Sequence, residues 1–157
     1  MCSAISEQEQ WYHMTTIGDE GLSFPPTPSA GLAVGVDLVE VARIAATLDR
    51  FTQRFLERVF TAAEIAITGH NPARLAGRFA VKEACAKALG TGIDGPRWRD
   101  IECLRDDAGK PLLRLHGAAR ARAEALGWSA VEVSISTTQH FSIALVVALG
   151  SKETTHA

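Results

Sequence analysis

The chain has 157 residues, of which 46% are hydrophobic, with 16 Lys and Arg against 18 Asp and Glu. Its formal net charge of −2 excludes a broadly basic protein and argues against a general nucleic-acid binder. The hydrophobic fraction is enough to bury a sizeable core in a single compact domain.

Residues 1 to 31 read as a flexible N-terminal extension. They hold Pro25, Pro26 and Pro28, scattered Ser and Thr, and the acids Glu7, Glu9, Asp19 and Glu20, without an apolar period. Trp11 and Tyr12 offer anchors by which this arm can be pinned to a surface. No basic-then-apolar run precedes a cleavage site, and the longest apolar stretch, FSIALVVAL, is too short to span a bilayer. The expectation is a cytoplasmic protein with no membrane partner. Cys2, Cys85 and Cys103 are odd in number and widely spaced, which suits reduced thiols and offers no zinc motif. The histidines His13, His70, His116, His140 and His156 show no metal-ligand spacing.

LAVGVDLVE, residues 32 to 40, alternates as a strand. Leu32, Val34, Val36 and Leu38 point one way, and Ala33, Gly35 and Asp37 the other. Asp37 ends a row of very small side chains, which leaves room for a hydrated cation and a phosphate group to approach the backbone. A local alternative is a capping box of Asp37 with Glu40 at the next helix. In VARIAATLDRFTQRFLERV, Ile44, Leu48, Phe51, Phe55 and Val59 fall at helical spacing beside a stripe of Arg43, Arg50, Arg54 and Arg58, either a docking surface or an ordinary solvated face. A short helix is expected near 61 to 68.

GRFAVKEACAKALG, residues 77 to 90, strings Arg78, Lys82, Glu83 and Lys87 among small residues. Asn71 and Pro72 stand where an N-cap and first-turn proline belong and Gly90 where a C-cap glycine belongs, so the helix is expected over roughly 72 to 89. Leu75, Phe79 and Ala86 can face a core, and Cys85 reads as a small packing residue. Glu83 and Lys87 share a face, one turn after Phe79. The bland alternative is an exposed ion pair worth about 0.3–0.5 kcal/mol. Beyond this helix, a hairpin near 98 to 105 and 110 to 115 turns at Gly109. A helix ending at Gly127 follows, and strands near 130 to 136 and 141 to 149 close a sheet. The class is α+β. Residues 150 to 157 form a polar tail.

Together these segments resemble the holo-acyl-carrier-protein synthase type of 4'-phosphopantetheinyl transferase, over most of residues 32 to 149. The resemblance rests on Gly35, Val36 and Asp37 on the first strand and on Phe79, Lys82, Glu83 and Lys87 on the helix, preceded by Leu75, Ala76, Gly77 and Arg78. RVFTAAE at 58 to 64, ALGTGI at 88 to 93, DIE at 100 to 102 and GKP at 109 to 111 follow in the family's order.

The resemblance implies a long helix packed on a small antiparallel sheet, with protomers assembled as a homotrimer. The implied activity moves phosphopantetheine from coenzyme A to a serine hydroxyl of an acyl carrier protein, with Mg²⁺, releasing adenosine 3',5'-bisphosphate. Asp37 and Glu83 are the implied metal ligands, a donor set that suits a hard cation keeping several waters. The base is Glu83 or a water held by the metal. Lys87 is implied to neutralise charge on the leaving phosphate, and Arg78 and Lys82 to contact phosphates, Lys82 being alternatively a solvated surface charge.

The carrier is implied to be acidic and to dock on Arg43, Arg50, Arg54 and Arg58. Gly109, Lys110 and Pro111 are implied to line a neighbour's nucleotide pocket, although a hairpin turn needs Gly109 in any case. Two departures stand out. Thr137 follows Ser134, Ile135 and Ser136 where the family usually has histidine, with His140 either reaching the same place or a solvated loop residue. His70, Asn71, Pro72, Ala73 and Arg74 replace the family's charged and aromatic residues. Thr137 motivates an alternative reading, a noncatalytic module that binds coenzyme A or a carrier. Which carrier is natural, and whether acylated donors are accepted, stay open.

Overall fold

The computed structural model describes residues 31–92 and 95–150. Most of the expected N-terminal extension and of the polar tail lie outside the described residues. Strand β1 (Leu32–Glu40) leads into helix α1 (Val41–Val59), then helices α2 (Ala62–Thr68) and α3 (Pro72–Ala88). A 3-10 turn (Trp98–Asp100) precedes the hairpin of β2 (Ile101–Arg105) and β3 (Pro111–Leu115). Helix α4 (Gly117–Ala125) and strands β4 (Trp128–Thr137) and β5 (Phe141–Gly150) complete the chain. The main sheet is antiparallel in the order β1-β5-β4, and β2-β3 forms a second, two-stranded sheet. This is the expected α+β arrangement.

The ends of α3 follow the expected chemistry. Asn71 Oδ1 accepts from Arg74 N at 2.9 Å with Pro72 in the first turn, and Gly90 takes φ 69° just past α3, a conformation that favours glycine. Thr61 and Glu64 close a capping box on α2, satisfying two otherwise orphaned donors. The hairpin turns at Gly109, φ 87°.

Helix α3 is the centre of the core. Leu75, Ala76, Ala80, Val81, Ala84 and Cys85 are fully buried, and the helix packs against β1 and β5. Its small residues set the approach distance. A Cβ built on Gly35 would lie 1.9 Å from the Ala84 carbonyl oxygen, so the absent side chain is what allows the helix backbone onto the strand. The space beside Gly35 therefore holds α3, and not the phosphate expected from sequence.

Two apolar faces differ from simple periodicity. In α1, Phe51 has non-helical φ −140° and ψ 30°. Past this kink the buried set continues as Leu56 and Val59, while Phe51 is 51% exposed with the Arg50 guanidinium 5.3 Å from its ring centroid. In β1 the larger side chains face outward. Leu32, Val34, Val36 and Leu38, with Phe141, Ile143, Leu145 and Leu149 of the paired β5, are exposed, because the opposite face must stay small to admit α3. A continuous apolar sheet face of this kind marks an interaction surface.

Candidate active site

Strand β1 and helix α3 bring Asp37, Glu83 and Lys87 together. Asp37 shares the inward face of β1 with Gly35, so its carboxylate emerges beside the last two turns of α3. Lys87 Nζ donates to Asp37 Oδ1 at 2.9 Å and to the Val36 carbonyl at 2.9 Å. Helix α1 starts at Val41 with Glu40 at its N-cap and no side-chain cap bond. Asp37 is thus a strand residue held by a lysine, which removes the capping-box alternative.

Glu83 stands one turn before Lys87. Its pKa is raised above the usual glutamate range, first by burial and next by the neighbouring Asp37 carboxylate, with Lys87 and Arg43 pulling it back down. The Asp37 charge reaches Glu83, so the two carboxylates form a place where a cation is favoured. Both offer hard oxygen atoms, and the donor set fits Mg²⁺, which needs only one or two carboxylates and keeps its remaining sites for water and phosphate oxygens. Arg43 is a further member of this cluster. Sequence reasoning assigned it to the arginine stripe alone, and its position at the start of α1, where the chain leaves the strand that carries Asp37, is the signal that places it here.

Lys82 is a correction. It is fully buried, and its ammonium donates to Glu64 Oε2 and the Trp98 carbonyl, each at 2.9 Å, and to the Ile101 carbonyl. All three donors are engaged inside the protein, so it is neither a phosphate contact nor a solvated charge. Burial lowers its pKa below the ordinary lysine range against the opposing pull of Glu64. Glu64 also accepts from Thr61 N at 2.8 Å and Cys103 N at 3.0 Å, which satisfies the ion pair.

Arg78 stands apart from the Asp37 cluster. Its charge acts on Cys103, and its buried Nε has no hydrogen-bond partner among the described residues. Thr137 Oγ1 lies 2.8 Å from Ser142 Oγ, so it is engaged within the sheet. His140 is an exposed loop residue whose carbonyl accepts from Val41 N at 2.8 Å. Lys110 pairs with Glu132 at 2.8 Å. Cys85 and Cys103 are free and buried, and burial pushes their thiols up to about 12 and about 11, so neither is a ready nucleophile.

A sequence profile of the 4'-phosphopantetheinyl transferase superfamily matches residues 33–146. A holo-[acyl-carrier-protein] synthase of Herpetosiphon aurantiacus is 47% identical over 126 residues, covering 76% of this chain and 99% of its own. One from Solidesulfovibrio magneticus is 51% identical over 119 residues, covering 74% and 97%. Among solved structures, the Helicobacter pylori holo-[acyl-carrier-protein] synthase in complex with coenzyme A is 34% identical, with a TM-score of 0.67, over 73% of this chain and 98% of that one. The Neisseria meningitidis synthase is 38% identical with a TM-score of 0.68, over 74% and 96%. The chain belongs to the 4'-phosphopantetheinyl transferase superfamily, and within it to the holo-[acyl-carrier-protein] synthases.

Proposed function

We propose that residues 32–149 form a transferase domain that moves the 4'-phosphopantetheine group of coenzyme A to a serine hydroxyl of an apo acyl carrier protein in a Mg²⁺-dependent reaction. The serine oxygen forms a bond to the phosphorus that carries pantetheine, the diphosphate bridge breaks, and adenosine 3',5'-bisphosphate leaves. The observation that carries the reading is the Asp37–Glu83 carboxylate pair, flanked by Lys87 and Arg43, in a chain of this family. Transfer at a diphosphate is governed by positioning and charge neutralisation. Asp37 and Glu83 would hold Mg²⁺, which supplies positive charge to the diphosphate oxygens.

Lys87 keeps one ammonium hydrogen beyond its bonds to Asp37 and Val36 and is half exposed; it offers charge to the leaving phosphate. Glu83 or a water takes the serine proton. Arg78, with its unpartnered Nε, is the proposed phosphate contact of the adenosine half. The acidic carrier docks along Arg43, Arg50, Arg54 and Arg58, all exposed and without an ion pair among the described residues.

The carrier experiment is direct. Incubating apo acyl carrier protein with the protein, coenzyme A and Mg²⁺ should add one phosphopantetheine, read by intact mass, and EDTA should abolish the gain. No gain with any carrier, while coenzyme A still binds, would replace the transferase reading with a binding module.

The same reading includes a homotrimer in the cytoplasm. What favours assembly is the outward face of β1 and β5, a continuous set of exposed apolar side chains of the kind that marks an interaction surface. No helix among the described residues is long and apolar enough to cross a membrane, and the free buried thiols suit a reducing compartment. Val36→Glu, which places a charge in the centre of that face, should convert the trimer to monomers by light scattering. An unchanged mass would move the interface elsewhere.

A further inference from the structure

The exposed arginines do not stop with α1. Arg58 lies in the last turn of that helix, and the 3-10 turn Trp98–Asp100 packs against it. Trp98 turns inward, its ring 5.4 Å from that of Phe79, and its carbonyl is held by the buried Lys82. With Trp98 held inward, its neighbours Arg97 and Arg99 are both turned out to solvent. Arg58, Arg97 and Arg99, with Gly95, Pro96 and Trp98, line a recess of about 380 Å³.

Among the described residues no carboxylate lines that recess, and none of the three guanidiniums makes an ion pair. The adjoining recess shares Arg97 and Arg99 and holds two carboxylates, Asp100 and Glu102; Glu102 is held by Thr61 at 2.6 Å and His116 at 3.0 Å, and the Asp100 carboxylate lies against Gly117 at the start of α4. Three like charges around one hollow, on backbone clamped by a buried lysine, repel one another until an anion arrives. Guanidinium forks suit carboxylates held in a fixed geometry.

Position selects the anion. Arg43 stands beside Glu83, and Arg58 is fifteen residues further along α1, at most about 22 Å by helical rise with the kink at Phe51 between them. An occupant spanning both is an extended protein element of about four helical turns, reaching well beyond a diphosphate at Asp37 and Glu83.

We propose that Arg58, Arg97 and Arg99 form a second docking platform that receives carboxylates at the far end of the carrier protein's acidic helix while its serine lies at the Asp37–Glu83 end. This rests on the reading of an acyl carrier protein as the substrate. The platform sets partner affinity and has no part in the transfer step.

The test is steady-state kinetics of the full chain carrying Arg97→Glu and Arg99→Glu, with Arg50→Glu/Arg54→Glu as the companion variant. KM for apo carrier protein should rise about tenfold or more, and the salt dependence of kcat/KM for the carrier should flatten, because attractive charge at the interface has been reversed. KM for coenzyme A should stay as in the unaltered protein. A normal carrier KM in the Arg97/Arg99 variant, with a raised one in the companion, overturns the platform and leaves α1 docking intact. Normal carrier KM in both variants overturns docking on this face altogether. An equal rise in KM for coenzyme A would make the recess a nucleotide-phosphate site and overturn the proposal. Should charge reversal impair folding, Arg97→Gln/Arg99→Gln is expected to show the same selective rise, and its absence counts against the platform.

Discussion

Glu83→Gln is expected to remove turnover, by at least on the order of 10³-fold, while leaving the fold intact and raising Tm at neutral pH. The sign follows from the direction of its pKa. In the folded protein Glu83 titrates above its ordinary value because of burial and Asp37, so the ionised form is destabilised by folding. That cost is absent below the ordinary carboxylate range and complete above the raised folded pKa. The neutral amide avoids it at pH 7. Activity requires the ionised carboxylate, and Mg²⁺ held by Glu83 would favour that form, so raising the Mg²⁺ concentration should move the acid limb of the rate profile to lower pH. Asp37→Ala should also remove turnover and should lower the pKa of Glu83, since a repelling charge is gone. The measurements are carrier modification by intact mass against Mg²⁺ concentration, and thermal unfolding at several pH values. A fully active Asp37→Ala/Glu83→Gln double variant would sink the metal-site reading. An unchanged or lower Tm for Glu83→Gln would reject the account of a carboxylate destabilised by burial and by Asp37.

The second large effect is on stability. Lys82→Met should destabilise the protein by about 3–5 kcal/mol, because it leaves the Glu64 carboxylate buried without its cation and strips the Trp98 and Ile101 carbonyls of a donor. In a domain of this size that is a fall in Tm on the order of 10–20 °C. Adding Glu64→Gln removes the orphaned charge while keeping an acceptor for Thr61 N or Cys103 N, so the double variant should recover much of the loss. Additive losses in the double variant, followed by thermal and urea unfolding, would show that the two residues do not act as a pair. The pair also fixes the turn that carries Arg97 and Arg99, which connects a core ion pair to the proposed docking platform.

Local chemistry was legible in the sequence wherever neighbours along the chain decide it. Asn71, Pro72 and Gly90 bound α3 and Gly109 turns the hairpin, because caps and tight turns are built within a few residues. The pairing of Asp37 with the Glu83–Lys87 face was legible only through the family resemblance, since no local rule brings residue 37 to residue 87. The nearness of Arg43 to Glu83 was hidden for the same reason, since its helix face is legible in sequence and the strand beside it is not.

The amino-acid sequence by itself determined the α+β element order, the small residues of β1 and α3, and the presence of two carboxylates and a lysine of the right types. Tertiary structure alone decided which face of β1 is inside. Periodicity separates Leu32, Val34, Val36 and Leu38 from Ala33, Gly35 and Asp37 but does not say which row meets the core. Close approach of the Ala84 backbone to Gly35 turns the large row outward. It also decided the fate of Lys82, which looks in sequence like its neighbours Glu83 and Lys87. Helical rotation of about 100° per residue aims Lys82 into the core at Glu64 and leaves Glu83 beside Asp37, and only the surrounding elements reveal which direction is interior.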